Sequence, residues 1–510
     1  MKKKKEKNEN IITKTLKIEI VRPLNIPWFM FNRILKDIAR ATLQSRNAAV
    51  RIAWEFDGHS EMFHKFYGCY PNAKDFFVGK KGDHVTLNAY IEKCVSEIDN
   101  ISQTGNIAAM VNATINKYNE DKNKMENNEA SLPNFKSGRI VFVKKDNLKR
   151  LQYIDKNNYC ITVFLLNDKA KKFYEQEYER IREKYLQVKM EQEALENKNK
   201  KKRKITSDDP EIKYINDNDI KDEKIELKNG IQILFKAKST YQKNIINHII
   251  NGKYKLCTSQ IVQKPRKREW YLCLAYEFET EVSNELIEDN ILGIDIGLNV
   301  PLYMYASGTK KYDFIKSTEI IKFQRKMFMR RKELQENIRF RSSNKLNRGI
   351  KAKHDALNKL GDKEARFRDS CNEKYSRFVI HFALKNKCKI IQMEKLSGVN
   401  EKNKFLKRWP YYDLQQKIEK KAKEKGIQVI YVDPQYTSQR CSKCGYIHKE
   451  NRPVGEKGQA YFKCKKCGFK TNADYNAARN LSVKDIDKII KEQLKKQKEE
   501  LNHNLKYEAL

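Results

Sequence analysis

Apolar and polar residues alternate along IITKTLKIEIVR (11–22), with β-branched residues recurring, which predicts a strand ended by Pro23 and Pro27. From Trp28 to about Tyr118 the period changes. WFMFNRILKDIARATLQSRNAAVRIAWEF repeats apolar residues at three- and four-residue steps, and ISQTGNIAAMVNATINKY is a further helix candidate. Arg33, Lys36, Arg40, Arg46 and Arg51 lie between the apolar positions. The polar run YNEDKNKMENNEASLPNFKSG predicts a break in this helical block. Strands resume at RIVFVKK and YCITVFLL, followed by a long helix over about 168–197. Its stripe of Tyr174, Tyr178, Ile181, Tyr185, Val188 and Leu195 is suited to packing on another helix, from this chain or from a second copy. KNKKKRK (198–204) reads as a solvated basic loop, and IQILFKAK, YKLCTSQIVQK and WYLCLAYEF read as antiparallel strands. Residues 10–22 and 139–290 therefore predict a small barrel with helices inserted into it.

At Asn290 the texture changes. ILGIDIGLNVPLYMYA predicts a buried strand, a tight turn and a second strand. A very basic helical stretch follows over 319–353, with Arg325, Arg330, Arg331, Arg339, Arg341 and Arg348. Then come a helix through YSRFVIHFALKNK, the strand CKIIQMEKL, a helix over 411–425 and the strand IQVIYVDP. Two CxxCG pairs, a helix beginning at Asp474 and a charged tail complete the chain. No repeat of fixed period is present.

Composition sharpens the functional expectation. Among 510 residues, 105 Lys and Arg face 66 Asp and Glu, a formal net charge of +39. A surface that positive calls for a polyanion, with nucleic acid the default and a membrane surface the competitor. No apolar run of about 18 residues and no signal-peptide pattern is found, so no membrane partner and a cytoplasmic location are expected. Apart from the CxxC pairs the cysteines are scattered singly, which is a reduced cytosolic pattern.

Three acids stand out by context. Asp295 lies within an apolar strand between Ile294 and Ile296, with Gly293 and Gly297 allowing close approach of another chain or a ligand. Glu394 ends the second apolar strand, and Asp474 begins a helix. Taken singly, each acid suits a turn or cap role. Their order on strand, strand and helix suits a site where strand ends meet a helix N-terminus. Three convergent carboxylates repel one another unless divalent cations intervene, and two Mg²⁺ ions can drive phosphodiester hydrolysis.

Cys441 and Cys444, with Cys464 and Cys467, fit the zinc template of two CxxC knuckles. Four thiolates fill a tetrahedral shell, so one structural zinc is expected there. His59, His64 and Cys69 have irregular spacing and no CxxC, and are not read as a finger.

With these residues in place, the C-terminal half resembles the split RuvC nuclease domain of type V CRISPR effectors, above all the miniature V-F class and its transposon-encoded TnpB relatives. GIDIGLN, IIQMEKLSG, DPQYTSQRCSKCG, FKCKKCGF and NADYNAARNL carry the resemblance, over roughly residues 290–482. It implies an α+β multidomain chain. An N-terminal β-barrel (wedge, OB-like) would hold an inserted helical recognition domain, and a C-terminal RNase H-like RuvC domain an inserted zinc ribbon. The implied division is 1–25 and 136–290 for the barrel, 26–135 for the helical block, 291–432 for the nuclease core, 433–471 for the ribbon and 472–510 for the third acidic motif and tail. The implied activity is RNA-guided DNA cleavage, with Asp295, Glu394 and Asp474 as ligands of two Mg²⁺ ions. Guide RNA and target DNA would be partners, with two protein copies on one guide, in a prokaryotic cell. Some V-F members carry an N-terminal cysteine-rich finger, and this chain lacks a recognisable one.

Pairing by a guide leaves the protein to supply a basic channel. Arg33, Arg40, Arg325, Arg330, Arg331, Arg339 and Arg479 are candidate nucleic-acid contacts. Arg440 is either a scissile-phosphate contact or a surface charge. Tyr446, Tyr461, Phe462 and Phe469 are either stacking surfaces or filling for a small core around zinc. Asn476 and Arg479 are placed to support the acid or the substrate. Two alternatives to a CRISPR nuclease are a transposon-associated TnpB-type nuclease and an RNA-guided binder that does not cut.

Overall fold

The computed structural model describes residues 11–78, 83–127, 130–199, 220, 224–264, 269–280, 285–297, 300–339, 347–395, 411–452 and 460–508. The basic run after residue 199, Arg341, and the side chains of Leu195, Arg339 and Arg348 lie outside the described residues. The chain divides into two compact units at Glu279/Thr280, ahead of the boundary expected after residue 290, because the strand containing Asp295 starts at Ile287.

The first unit runs β1 (Ile11–Pro23), α1 (Trp28–Tyr67), α2 (Ala73–Phe76), α3 (Leu87–Ile98), α4 (Thr104–Glu126), β2 (Ile140–Val143), β3 (Leu148–Asp155), β4 (Asn158–Val163), α5 (Asp168–Asn199), β5 (Ile231–Lys236), α6 (Thr240–Ile250), β6 (Lys255–Leu256), β7 (Ser259–Gln263) and β8 (Trp270–Glu279). Helix α4 runs into the polar stretch, helped by a Lys117–Asp121 pair one turn apart, and ends within it at Glu126, so the break falls inside the expected run. The expected barrel does not close. The strands form one sheet in the order β2-β7-β8-β1-β5-β4-β3, with β6 beside β8. Long β1 serves both halves, pairing with β8 over residues 11–19 and with β5 beyond a bulge at 20–22. The outer strands β2 and β3 are joined through a tight turn at Lys145–Asn147 and share no ladder.

Helices take the place of a closing ladder. Phe31, Ile34, Leu35 and Ile38 of α1 and the stripe Tyr174, Tyr178, Ile181 and Tyr185 of α5 are buried in the sheet's own core. The α5 stripe thus has its partner within the chain. Tyr174 Oη donates to Asp37 at 3.0 Å, and Arg33 pairs with Glu177 at 3.0 Å. A second core joins α1, α3 and α4 through Val50, Ala53, Ile91, Val95, Met110 and Val111.

The second unit runs β9 (Ile287–Asp295), β10 (Leu302–Ala306), β11 (Tyr312–Ile315), α7 (Thr318–Arg339), α8 (Asn347–Lys385), β12 (Cys388–Glu394), α9 (Tyr411–Glu424), β13 (Gln428–Val432), β14 (Tyr461–Lys463), β15 (Lys470–Asn472), α10 (Ala473–Leu481) and α11 (Ile486–Glu508). Its sheet has the order β11-β10-β9-β12-β13, antiparallel on the β10–β11 side of β9 and parallel on the β12–β13 side. Alternation along the strands sorts two faces. Leu292, Ile294, Met304, Ile391 and Met393 turn to α8 and α9, where Val379, Ala383, Leu414 and Ile418 are buried. Gly293, Asp295, Gln392, Tyr303 and Tyr305 turn the other way, toward α10.

Candidate active site and metal centre

Two strand ends and one helix start build the acidic site. β9 ends at Asp295 and its parallel neighbour β12 ends at Glu394. The register Gln392↔Gly293 and Met393↔Ile294 sets the two carboxylates level on one face. α10 supplies the third. A Cβ on Gly293 would lie 2.6 Å from the Leu481 carbonyl carbon and closer still to Ala478 O and the Ser482 nitrogen, so the helix backbone rests directly on the strand. From Gly293 to Asp295 the strand advances about 6.6 Å. From Ala478 back to Asp474 the helix covers about 6 Å. Asp474, in the first turn of α10, therefore comes level with Asp295. The approach that the glycine permits is that of α10.

Electrostatics agree with this convergence. Asp295 is partly buried, and its carboxyl is held well above the usual range, first by loss of solvent, then by the charges of Glu394 and Asp474. Burial also raises Glu394, with Asp433 adding to the rise, and burial raises Asp474. Arg452 opposes the rise on all three. Sequence reasoning singles out neither residue: Arg452 lies in no apolar strand, and Asp433 follows the last one, at Val432, where a turn residue is ordinary. Thr437 Oγ1 donates to Glu394 Oε1 at 2.5 Å, and Gln415 Nε2 to the Glu394 carbonyl at 2.7 Å.

The cysteines form a second, separate cluster. Their sulfur atoms lie within 4.8 Å of one another, with Cys441–Cys467 at 3.8 Å and Cys444–Cys464 at 3.6 Å. A tetrahedral shell with bonds of about 2.3 Å needs sulfurs about 3.8 Å apart, so the four fit one zinc-sized ion. Gly445 and Gly468, at φ +78° and +68°, turn each knuckle back so that their amides donate to Cys441 O and Cys464 O. The Phe469 amide draws the Cys467 thiol down to about 7, toward the thiolate a metal needs. Phe462 is fully buried beside Cys441, Cys464 and Ala473, with Tyr446 and Phe469 packed around it, while Tyr461 remains exposed. Core filling thus accounts for three of the four aromatics. Among the described residues no other group of three or more His, Cys, Asp or Glu side chains gathers its ligand atoms around a single ion.

The segment before the first knuckle is clamped to α10. Asn480 Nδ2 donates to Thr437 O and Arg440 O, each at 2.8 Å, and Asn476 Nδ2 donates to Arg440 O at 2.8 Å. Asn476 Oδ1 accepts from the Ser442 amide at 2.9 Å. Arg440 is not a surface charge: it is 9% exposed and donates to Asn480 Oδ1 at 2.7 Å and Gln493 Oε1 at 2.8 Å. Its guanidinium is committed to internal partners, which removes it from the phosphate contacts. Asn480→Ala would take one of two acceptors from the Arg440 guanidinium and remove the donor to Thr437 O, while Asn476 still holds Arg440 O, so a loss of about 1–3 kcal/mol is expected in urea unfolding.

The other candidate arginines divide. Arg40 and Arg325 are exposed, and Arg330 and Arg331 are exposed but paired with Glu333 and Glu364. Arg479 is half-buried on α10. Arg33 is tied to α5, and Arg46 lies 3.4 Å over the Phe135 ring, lowered to about 10 by burial.

Comparison with known proteins fits this arrangement. A family profile described as "Cas12f1-like, TNB domain" matches residues 411–481. The chain is 30% identical over 483 residues to the CRISPR-associated endodeoxyribonuclease Cas12f1 of Sulfoacidibacillus thermotolerans, covering 94% of this chain and 100% of that protein. It is 31% identical over 258 residues to a TnpB-like protein of Methanocaldococcus jannaschii, covering 49% of this chain and 85% of that one. The fold is similar to the protein in a cryo-EM structure of a Cas12f1–sgRNA–target DNA complex, with a TM-score of 0.60, 20% identity, and coverage of 93% and 99%. These relatives fall into one class, CRISPR-associated endodeoxyribonucleases and TnpB-like proteins. The end-to-end match to the first of them places the chain in the Cas12f1 family.

Proposed function

We propose that this chain is an RNA-guided DNA endonuclease of a CRISPR system, hydrolysing phosphodiester bonds at a single site formed by Asp295, Glu394 and Asp474. The convergence of these acids on one sheet face, at the ends of two parallel strands and the start of α10, carries the proposal. The sheet order around β9 supports an RNase H-like core of the RuvC kind.

The donor set suits hard divalent cations. All the ligands are carboxylate oxygens, and burial, first among the causes, pushes each acid toward its protonated form, which a bound cation would reverse. Asp295, Glu394 and Asp474 would hold two Mg²⁺ ions, which when bound activate water and stabilise the departing oxygen. Asp295 presents its charge at the centre of the site. Thr437 and Gln415 fix Glu394, and α10, resting on Gly293, fixes Asp474. Arg452 draws negative charge, from the acids or from a phosphate, toward the same place.

The cysteine cluster holds one structural zinc, supported by its sulfur spacing. Metal analysis is expected to find one zinc per chain, with a chelator exposing residues 441–468 to protease. Folding and cleavage that both survive full zinc removal would contradict this.

Guide RNA and target DNA are the partners. Arg40, Arg325, Arg330, Arg331 and Arg479 serve as backbone contacts, in a chain of net charge +39. Affinity should fall steeply with salt. Two copies assemble on one guide. An apolar groove of about 840 Å³ in the helical block, with Met62, Phe63, Phe66, Tyr67 and Phe76 along it and Phe66 79% exposed, supports a protein contact there. Among the described residues no helix is long and apolar enough to cross a membrane.

The test is cleavage of matched DNA with and without a guide. Guide-dependent cutting is expected. Binding without cutting would favour the non-cleaving binder, and guide-independent cutting would favour a protein acting without RNA. A transposon-associated role uses the same chemistry and is told apart by whether a CRISPR array lies beside the gene.

A further inference from the structure

β11 is the edge of the nuclease sheet, and its exposed side is aromatic. On such a strand the solvent side is ordinarily polar, and edges are commonly guarded by charge. Here Asp313 and Ile315 take the more covered positions, while Tyr312 and Phe314 are 55% and 38% exposed.

The register ties these rings to the acids. Tyr303 pairs with Asp295 across β9–β10, and Phe314 pairs with Tyr303 across β10–β11, so all three lie on the α10 face. The Tyr303 ring stacks on Phe314, with centroids 5.3 Å apart and planes 13° apart, and on Tyr312 at 6.1 Å and 17°. Tyr475, next to Asp474, meets Tyr303 and Tyr312 edge-on at 6.2 and 5.2 Å. The row therefore starts beside the acids and runs outward to solvent. Two strand spacings separate Phe314 from Asp295, about 10 Å, within reach of a nucleotide neighbouring a phosphate held at the acids. Lys316 lies 5.9 Å from the Phe314 ring, and Lys310 and Lys311 are exposed on the same hairpin, giving the phosphates of a passing strand their counter-charge.

We propose that Tyr312 and Phe314 form a stacking shelf for an unpaired base of the DNA strand being cut, setting the path by which that strand reaches Asp295. Bases inside a duplex already stack on one another, so exposed ring faces select single strands, and they do so without regard to sequence. A fence around Tyr475 alone would not require the outer rings to stay open to solvent.

The inference rests on the nuclease function proposed above, and the test separates the two. Guide-loaded protein is given target DNA whose displaced strand carries one abasic site, moved stepwise past the cut position. With the parent protein, an abasic site at one position should lower kcat/KM about tenfold. Phe314→Ala should lose about tenfold on the intact strand and little more on that abasic strand, because the same stacking partner is already missing. Phe314→Trp should restore the parent pattern. The shelf is overturned if Phe314→Ala cuts the intact strand at the parent rate, or if its loss and the abasic loss multiply, as a merely structural ring would make them. A parent protein that cuts nothing with a matched guide would overturn the proposed function, and the shelf with it.

Discussion

Asp295→Asn is expected to lower cleavage by about 1000-fold or more while leaving guide-directed DNA binding within about twofold of the parent, since the ligand charge lost supplies several kcal/mol to the reaction and little to duplex contact. The same change should make the Mg²⁺-free protein more stable. The raised carboxyl of Asp295 means that the folded chain holds a proton at pH values where the unfolded chain has released it. Stability of the Mg²⁺-free parent therefore falls as pH rises from the unfolded carboxylate range, near about 4, through the raised folded value. Asn removes that slope, and each kcal/mol of relieved repulsion raises Tm by about 2–4 °C in a unit of this size. Thermal melts without added Mg²⁺, the zinc left in place, at several pH values, beside single-turnover cleavage, check both halves. A variant that cuts at the parent rate, or melts lower at every pH, would contradict the assignment.

Gly293→Ala is expected to be the most damaging substitution that touches no charged group. The added methyl would meet backbone atoms of Ala478, Leu481 and Ser482, and backbone cannot turn aside as a side chain can. α10 must lift, carrying Asp474 from the acidic site and straining the Gln392 amide, which donates to Val483 O at 3.4 Å just past the helix. Overpacking of this kind costs about 1–3 kcal/mol, and displacing one ligand by an ångström costs about 100-fold in rate. Denaturant unfolding and cleavage assays should show both losses. An unperturbed variant would mean that α10 does not depend on contact with β9.

The site was legible where chemistry is local in sequence. Asp295 lies within one apolar run and Glu394 ends another, Asp474 follows the second knuckle, and the CxxCG spacing defines a candidate metal cluster by itself. What the sequence concealed depends on distant pairing. Whether β2 and β3 close a barrel is decided by α1 and α5 occupying the sheet's core, which no strand's own alternation reveals. Arg440 looks like a surface charge in a basic loop, and becomes internal only because Asn480 and Gln493 arrive from later helices. Tyr303 reads as a strand residue, the short strand of Phe314 goes unread in the sequence, and their place beside Asp295 follows from register alone.

The most direct measurement is of Mn²⁺, as a spin-active substitute for Mg²⁺, bound to the guide-loaded protein on target DNA. Two ions per active site, magnetically coupled at about 4 Å, are expected in the parent, with the coupled pair lost in Asp295→Asn. Manganese binding that ignores substitution at residues 295, 394 and 474 alike would contradict the shared acidic site.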